Sequence, residues 1–416
     1  MIKVNKPKIR FKNFNDSWSL RKLSDTQTDF KDGNYGEAYP KETDLTSSTQ
    51  GVPFLRGSDL DNGKLTLTNA RYITQSKHNE LISGHLIEDD IVIAVRGSLG
   101  SLGYVGPDNE GWNINSQLAI IRTRKIELIG NYLIQFLLSN RGNKEISSHI
   151  TGTALKQLPI KQLKNIKVPI PKIEEQSTIG SLFRTLDDLM SSYKDNLANY
   201  QSLKASMLSK MFPKAGQTVP EIRLDGFEGD WELIKLGEVC DLITKGTTAK
   251  SQSEQGKINF IKVENLKDNE IYSGVKISEE EHLGTLKRSI LYEGDILFSI
   301  AGTLGRTAIV RNDILPANTN QALAIIRGYK LDAYFLLVVL SGEVVKDYIR
   351  KNPTVGAQPN LSLEQVSSLK IQVPSIKEQQ AIGAYFSNLD NLINSYREKN
   401  SQLETLKKKL LQDMFI

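Results

Sequence analysis

The sequence predicts an α+β chain built twice. Two tandem lobes, each a mostly antiparallel sheet with few helices, are each followed by a long helix, and the two helices pair as an antiparallel coiled coil with approximate two-fold symmetry. Three observations predict this. Blocks of the first half recur, in order, in the second half. Short apolar runs flanked by glycine read as strands in both copies. A proline-free stretch with apolar residues at heptad spacing follows each copy.

The repeat is legible block by block. Ile9-Arg10-Phe11, Phe14, Trp18 and Lys22-Leu23 return as Ile222-Arg223-Leu224, Phe227, Trp231 and Lys235-Leu236. Asp90-Ile91 with Gly97-Ser98-Leu99-Gly100 returns as Asp295-Ile296 with Gly302-Thr303-Leu304-Gly305. Asn113, Asn115 and Leu118-Ala119-Ile120-Ile121-Arg122 return as Asn318, Asn320 and Leu323-Ala324-Ile325-Ile326-Arg327, and Glu175-Gln176 as Glu378-Gln379. Residues 170–212 and 373–415 are identical at 17 of 43 positions without a gap. The lobes match in their strand frame and diverge between the matched blocks, as surface loops do. The pattern divides the chain into a first lobe (1–173), a central helix (174–212), a second lobe (213–376) and a last helix (377–416).

Strands are expected at Ile91–Val95, Leu118–Ile121, Ile296–Ile300 and Leu323–Ile326, and one helix per lobe at about 128–141 and 331–342. Trp18 and Trp231, at equivalent places, read as core anchors. In the central helix Ile179, Leu186 and Tyr193 sit seven apart, with Leu182, Leu189 and Leu203 on the second seam. The last helix repeats this with Ile382, Leu389, Tyr396 and Leu403, then Leu392 and Leu406. Asn196 and Lys399 are equivalent polar seam positions, of the kind that fixes register. Burial of both seams inside the lobes is the competing expectation. Phe183, Met190, Leu197 and Phe386 widen the stripe and point to further helical partners.

Net charge is +5, and its distribution is uneven. Residues 1–173 carry 24 Lys and Arg against 17 Asp and Glu, whereas residues 213–376 carry 19 against 21. The first lobe suits phosphate by bulk charge; the second needs local clustering. A single cysteine, Cys240, rules out an intramolecular disulfide and fits a cytoplasmic protein. No apolar run approaches the ~18 residues of a membrane helix, and the N-terminus lacks the apolar core of a signal peptide. No phosphate-binding Gly-x4-Gly-Lys-[Ser/Thr] and no dinucleotide Gly-x-Gly-x-x-Gly is present. Asn352-Pro353-Thr354-Val355 lacks the second proline and aromatic ring of an amino-methyltransferase signature. One cysteine and four scattered histidines, taken here as incidental, make no zinc pattern. No cofactor, metal site or catalytic residue is therefore expected in this chain.

Taken in order, Asp-Ile-x5-Gly-[Ser/Thr]-Leu-Gly, Asn-x-Asn before Leu-Ala-Ile-Ile-Arg, the closing Pro-x3-Glu-Gln and the heptad helix, all occurring twice, resemble the specificity subunits of type I restriction–modification systems. The resemblance covers nearly the whole chain. It implies that each lobe is a target-recognition domain reading one half of a bipartite, asymmetric sequence in double-stranded DNA. It implies a coil that sets the gap between half-sites and docks two methyltransferase subunits, with two restriction (motor) subunits joining for cleavage. S-adenosylmethionine, Mg2+ and ATP would then belong to those partners. An interaction scaffold with protein- or glycan-binding lobes, and a stand-alone nuclease or methyltransferase with cryptic motifs, are the alternatives.

Side chains that reach bases or phosphates are Arg, Lys, Asn, Gln, Ser and Thr on loops. Three loop classes qualify. The glycine turns carry Arg96, Ser98 and Ser101, then Thr303 and Arg306; a plain turn is the competing reading. The loop after each lobe helix carries Thr151, Thr153, Lys156 and Gln157, then Thr354, Gln358 and Asn360. The early loops carry Arg56 and Ser58, then Lys262, with Lys245, Thr247 and Lys250 nearby. Asn113, Asn115, Asn318 and Asn320 are expected to hold turns rather than read bases.

At ~1.5 Å per residue Ile179–Met211 spans roughly 48 Å, more than the ~34–36 Å of one DNA turn. Inserting residues into the helices should lengthen the spacer of the DNA target while leaving both half-site sequences intact, read by mapping modified sites. An unchanged spacer would discard the ruler.

Overall fold

A computed structural model describes residues 7–250, 256–351 and 360–415. The chain divides into two compact units: residues 1–194 with 398–416, and residues 195–397. Each unit therefore contains one lobe, the first half of the helix that follows it, and the second half of the other helix.

In the first unit, a four-stranded antiparallel sheet is built from Asp29–Asp32, Leu118–Arg122, Ile91–Ala94 and Leu102–Tyr104, in that spatial order. Ile91, Val92, Ile93 and Ala94 are all buried, which accounts for a strand without polar alternation. Val52–Leu55 pairs antiparallel with Arg71–Ile73 and parallel with Asn113–Ile114. The second unit repeats the plan. Cys240–Lys245, Leu323–Tyr329, Ile296–Ser299 and Thr307–Ile309 form the four-stranded sheet. Ile258–Ile261 pairs antiparallel with Lys276–Ile277 and parallel with Ala317–Thr319. Each lobe is mostly antiparallel, as expected, and divides its strands among several small sheets with one parallel pair.

The expected lobe helix is two helices in each copy. Gly130–Leu138 is followed by Asn140–Ser148, and Ala333–Ser341 by Glu343–Lys351. Ser139 lies between the first pair with extended backbone, and its hydroxyl accepts the Gly142 N–H at 3.1 Å. A side-chain cap ends one helix and starts the next without a loop.

The repeated motifs have physical roles. Asp90 accepts a bidentate pair from Arg122 at 2.8 and 2.7 Å, and Asp295 one from Arg327 at 2.6 Å. Those guanidiniums also donate to His85 O and Ile290 O, tying neighbouring strands to the preceding loop. Trp18 and Trp231 are buried in the two cores, as expected. Two of the histidines correct the expectation that they are incidental. His78 donates from Nδ1 to the buried Asn113, and His282 to the buried Asn318 at 2.5 Å. Each histidine lies on a short helix capped by a hydroxyl residue, Thr74 or Ser278.

The long helices are Ile173–Lys210 and Ile376–Asp413, so their first residues fall at or just before the expected boundaries. The Glu-Gln pair at the start of each fastens it to its lobe. Glu175 takes two hydrogen bonds from Arg10, at 2.7 and 2.8 Å, and one from Trp18 Nε1 at 3.1 Å. Glu378 takes the same pair from Arg223, both at 2.8 Å. Gln176 accepts the Ile129 N–H and donates to Glu127 O and Pro171 O; Gln379 accepts from Asp332 N and donates to Pro374 O.

Within each unit the two helical halves run antiparallel. In the first, Lys407 pairs with Asp187 at 2.6 Å and Lys194 with Glu404 at 2.9 Å. In the second, Lys204 pairs with Asp390 at 2.5 Å and Tyr200 stacks on Tyr396. Part of the heptad seam, with Phe183 and Phe386 beside it, is buried in the lobe cores together with residues of the opposite helix end. Ile179, Phe183 and Leu186 belong to the first core, and Ile382, Phe386 and Leu389 to the second. The far helix end closes each core: Phe415 contacts Tyr132, Phe136 and Phe183, and Phe212 contacts Trp231, Phe335 and Phe386. Leu182 and Leu403 pack at the edge of the first core. Leu189, Leu203, Leu392 and Leu406 remain 37–44% exposed. Asn400 of the last helix is buried, and neither of its amide atoms is hydrogen-bonded. Asn196 is only half-buried, and the exposed Lys399 lies over the Tyr193 ring at 5.7 Å.

Phe183→Ala, which empties a fully buried site, should cost about 3–5 kcal/mol in urea unfolding. Leu189→Ser should cost about 1 kcal/mol or less. Equal losses would mean that the helix–helix seam, not the lobe contact, dominates.

Candidate functional site

The strand Ile91–Ala94 ends in a turn at which the other candidate loops gather. Gly97 and Gly100 adopt φ of +70° and +80° there, and Gly302 and Gly305 +75° and +80° in the second lobe. A Cβ at Gly97 or Gly302 would meet nothing within 4 Å. Positive φ accounts for the glycines, and the open space leaves the turn accessible to a ligand. The early loop lies alongside: a Cβ on Gly57 would be 3.5 Å from the Ser98 side chain. The loop after the lobe helices joins them, since Leu158 N donates to Val95 O at 3.0 Å and Leu361 N to Ile300 O at 2.8 Å. Three loop classes that are distant in sequence thus form one mouth per lobe.

In the first lobe Arg96 is exposed. Its Nη1 donates to Ser116 O at 3.2 Å and reaches the Tyr35 hydroxyl at 3.5 Å, and its guanidinium lies 5.3 Å from the Tyr35 ring centre. Burial pushes the nearby Asp32 carboxyl above its usual range, with Arg96 and Tyr35 opposing the shift. Ser98, Thr153, Lys156 and Gln157 are exposed. Thr151 and Gln157 exchange backbone hydrogen bonds of 2.9 Å that close the loop between them, and Leu155 stands 87% exposed at its tip. Ser101 is taken up in the turn, bonded through its backbone to Ser98 and Ala94. Arg56 is turned inward, paired with Asp59 and donating to Asn69 O, and the Ser58 hydroxyl donates to Asp59 at 3.2 Å.

In the second lobe Lys245, Asn360 and Gln321 line a cleft of about 520 Å³ that also touches Ala301. Thr303 is exposed on its turn. Arg306 has a structural role, donating to Val263 O and Leu266 O, both at 3.1 Å. The Lys262 backbone caps the turn through Asn265 Oδ1 at 2.9 Å. Thr247 N donates to Thr319 O, and Lys250 N to Glu281 Oε1 at 2.7 Å. Gln358 and Thr354 lie outside the described residues. Asn115 and Asn320 hold turns as expected, accepting from Gln117 N and Ala322 N. Sequence reasoning missed Asp32, Tyr35 and Gln321. Their signal was an aligned position next to a matched glycine or asparagine at which the two copies differ in charge or size.

Among the described residues no group of three or more His, Cys, Asp or Glu gathers as a metal site, and no helix is long and apolar enough to cross a membrane.

One frame, used twice and furnished differently at each mouth, defines a recognition protein of duplicated design. A family model described as the type I restriction modification DNA specificity domain matches residues 17–199 and 228–405; the chain belongs to that family, one copy per lobe. It is 24% identical over 419 residues to the putative type I restriction enzyme MjaX specificity subunit of Methanocaldococcus jannaschii, covering 95% of this chain and 92% of that one. To the MjaVIII specificity subunit of the same organism it is 26% identical over 276 residues, 64% of this chain and 65% of that protein. The type I S subunit from M. genitalium has the same fold, with a TM-score of 0.66 at 17% identity over 99% of both chains. The reading as a specificity subunit rather than an enzyme rests on this family match.

Arg306→Ala should lower unfolding stability by about 1–3 kcal/mol through its two unpaired carbonyls while leaving the salt dependence of duplex binding unchanged. A shallower salt slope would return Arg306 to the phosphate-contacting set.

Proposed function

We propose that the chain reads a bipartite, asymmetric sequence in double-stranded DNA, one half per lobe, through the two loop mouths. The observation that carries this is the convergence of three separate loop classes on equivalent mouths whose side chains differ. A protein reading the same half-site twice would have no use for that difference. The excess of Lys and Arg in residues 1–173 suits phosphate contact there. The second lobe, with no such excess, gathers Lys245 beside amide side chains at its mouth.

On this reading the paired helices set the spacer and dock two methyltransferase subunits. The part-exposed Leu189, Leu203, Leu392 and Leu406 supply apolar surface for that docking. Two restriction subunits join for cleavage. S-adenosylmethionine, Mg2+ and ATP reside in those partners, and the complex works in the cytoplasm. No observation favours the scaffold or the stand-alone enzyme.

Co-expression with a cognate methyltransferase subunit in a methylation-free host, followed by single-molecule sequencing, should yield one split, asymmetric motif with one adenine modified on each strand. A stable complex that adds no methylation and binds duplex DNA without salt dependence would overturn the reading.

A further inference from the structure

The two mouths can be superposed residue by residue, because their frames share the same hydrogen bonds. Asp32 pairs with Ala119 across the sheet, and Lys245 with Ala324. Gly33 N donates to Leu118 O at 3.3 Å, and Gly246 N to Leu323 O at 3.2 Å. A Cβ at either glycine would sit within 2.1–2.2 Å of a carbonyl of the facing asparagine, so the backbone is pinned there in both copies. Val95 N donates to Gln117 O at 2.8 Å, and Ile300 N to Ala322 O at 2.9 Å. These bonds make Asp32 equivalent to Lys245, Tyr35 to Thr248, Arg96 to Ala301, Ser116 to Gln321 and Gln157 to Asn360.

At the first four of these positions the chemistry changes while the frame does not, and at the last an amide is kept on a shorter side chain. An acid becomes a base, an aromatic ring a hydroxyl, an arginine a methyl group. In the first lobe Nη1 of Arg96 is anchored on Ser116 O and the ring of Tyr35 orients the guanidinium plane. Among the described residues its Nε and Nη2 take no partner, so one edge of the fork remains to donate. In the second lobe the Thr248 hydroxyl donates to Gln321 Oε1 at 2.7 Å and steers the amide. Its Nε2 takes no partner among the described residues, and the cleft opens beside Ala301. An arginine fork with two free donors matches O6 and N7 of guanine; an amide that donates and accepts matches N7 and N6 of adenine.

Resting on the proposed DNA-reading function, we infer that these equivalent positions determine the specificity of the two half-sites. Arg96, oriented by Tyr35, reads a guanine in the half-site of the first lobe, and Gln321, oriented by Thr248, reads an adenine in that of the second. Arg96 and Gln321 touch the base; Tyr35 and Thr248 are positioning residues.

The test maps the adenine-methylation motif of the full chain co-expressed with a cognate methyltransferase subunit, for the wild type and for Arg96→Ala, Arg96→Lys, Tyr35→Phe and Gln321→Ala. Arg96→Ala and Arg96→Lys should each relax one G·C pair in one half-site by at least about tenfold and leave the other half-site unchanged. Lysine retains the charge but not the fork, so its failure to rescue separates base reading from phosphate contact. Tyr35→Phe keeps the ring and should preserve the motif. Gln321→Ala should relax one A·T pair in the opposite half-site. Letter-for-letter retention of both half-sites in Arg96→Ala and Gln321→Ala, with a normal wild-type motif, would overturn this inference alone. A wild-type complex that directs no motif would overturn the function beneath it.

Discussion

The buried carboxylate–guanidinium pair at the start of each long helix is the constraint on which the rest depends. The carboxylates of Glu175 and Glu378 are buried, and their partners Arg10 and Arg223 keep 11% and 15% of their side-chain surface exposed. Such a pair is costly to break once formed, because removing one partner leaves an uncompensated buried charge. It fixes the angle at which the helix leaves the lobe. The adjacent glutamine then satisfies backbone groups of the lobe that would otherwise be orphaned in the interior. This explains why Glu-Gln, rather than any apolar pair, recurs in both copies.

From that anchor the packing follows. A helix leaving the lobe at a fixed angle lays Ile179, Phe183 and Leu186 on the lobe core, and its counterpart does the same with Ile382, Phe386 and Leu389. The end of the other helix is drawn to the same core, where Phe415 and Phe212 join aromatic clusters. The buried Asn400, left without hydrogen bonds, costs the fold some stability. Rigid frames of this kind let the loop mouths diverge, since binding residues on loops are set by the scaffold beneath them.

Where sequence reasoning failed, the reasons are specific. A heptad stripe reports that a helix has an apolar face; it does not report what covers that face. The same residues serve a coil or a lobe equally well, and here they share clusters with both. The recurrence of His78 and His282 is hidden in the sequence because neither is flanked by matched residues, and only the fold shows each reaching a buried asparagine. Arg306 looked like a loop arginine free to bind phosphate, but the turn folds it back onto two carbonyls. Arg96, on the equivalent turn, remains exposed. Two arginines on similar turns differ because one has inward-facing carbonyl partners and the other has a tyrosine at the surface.

The sequence by itself determined the duplication, the α+β class, the order of lobes and helices, and the family, because these depend on local patterns repeated in order along the chain. It also placed the core strands, whose unbroken apolar runs have no other stable location. Only the tertiary structure decided which polar residues meet. Three loops separated by dozens of residues converge at one mouth because strand pairing and two short backbone bonds bring them there, and contacts of that kind leave no periodic trace in a linear chain.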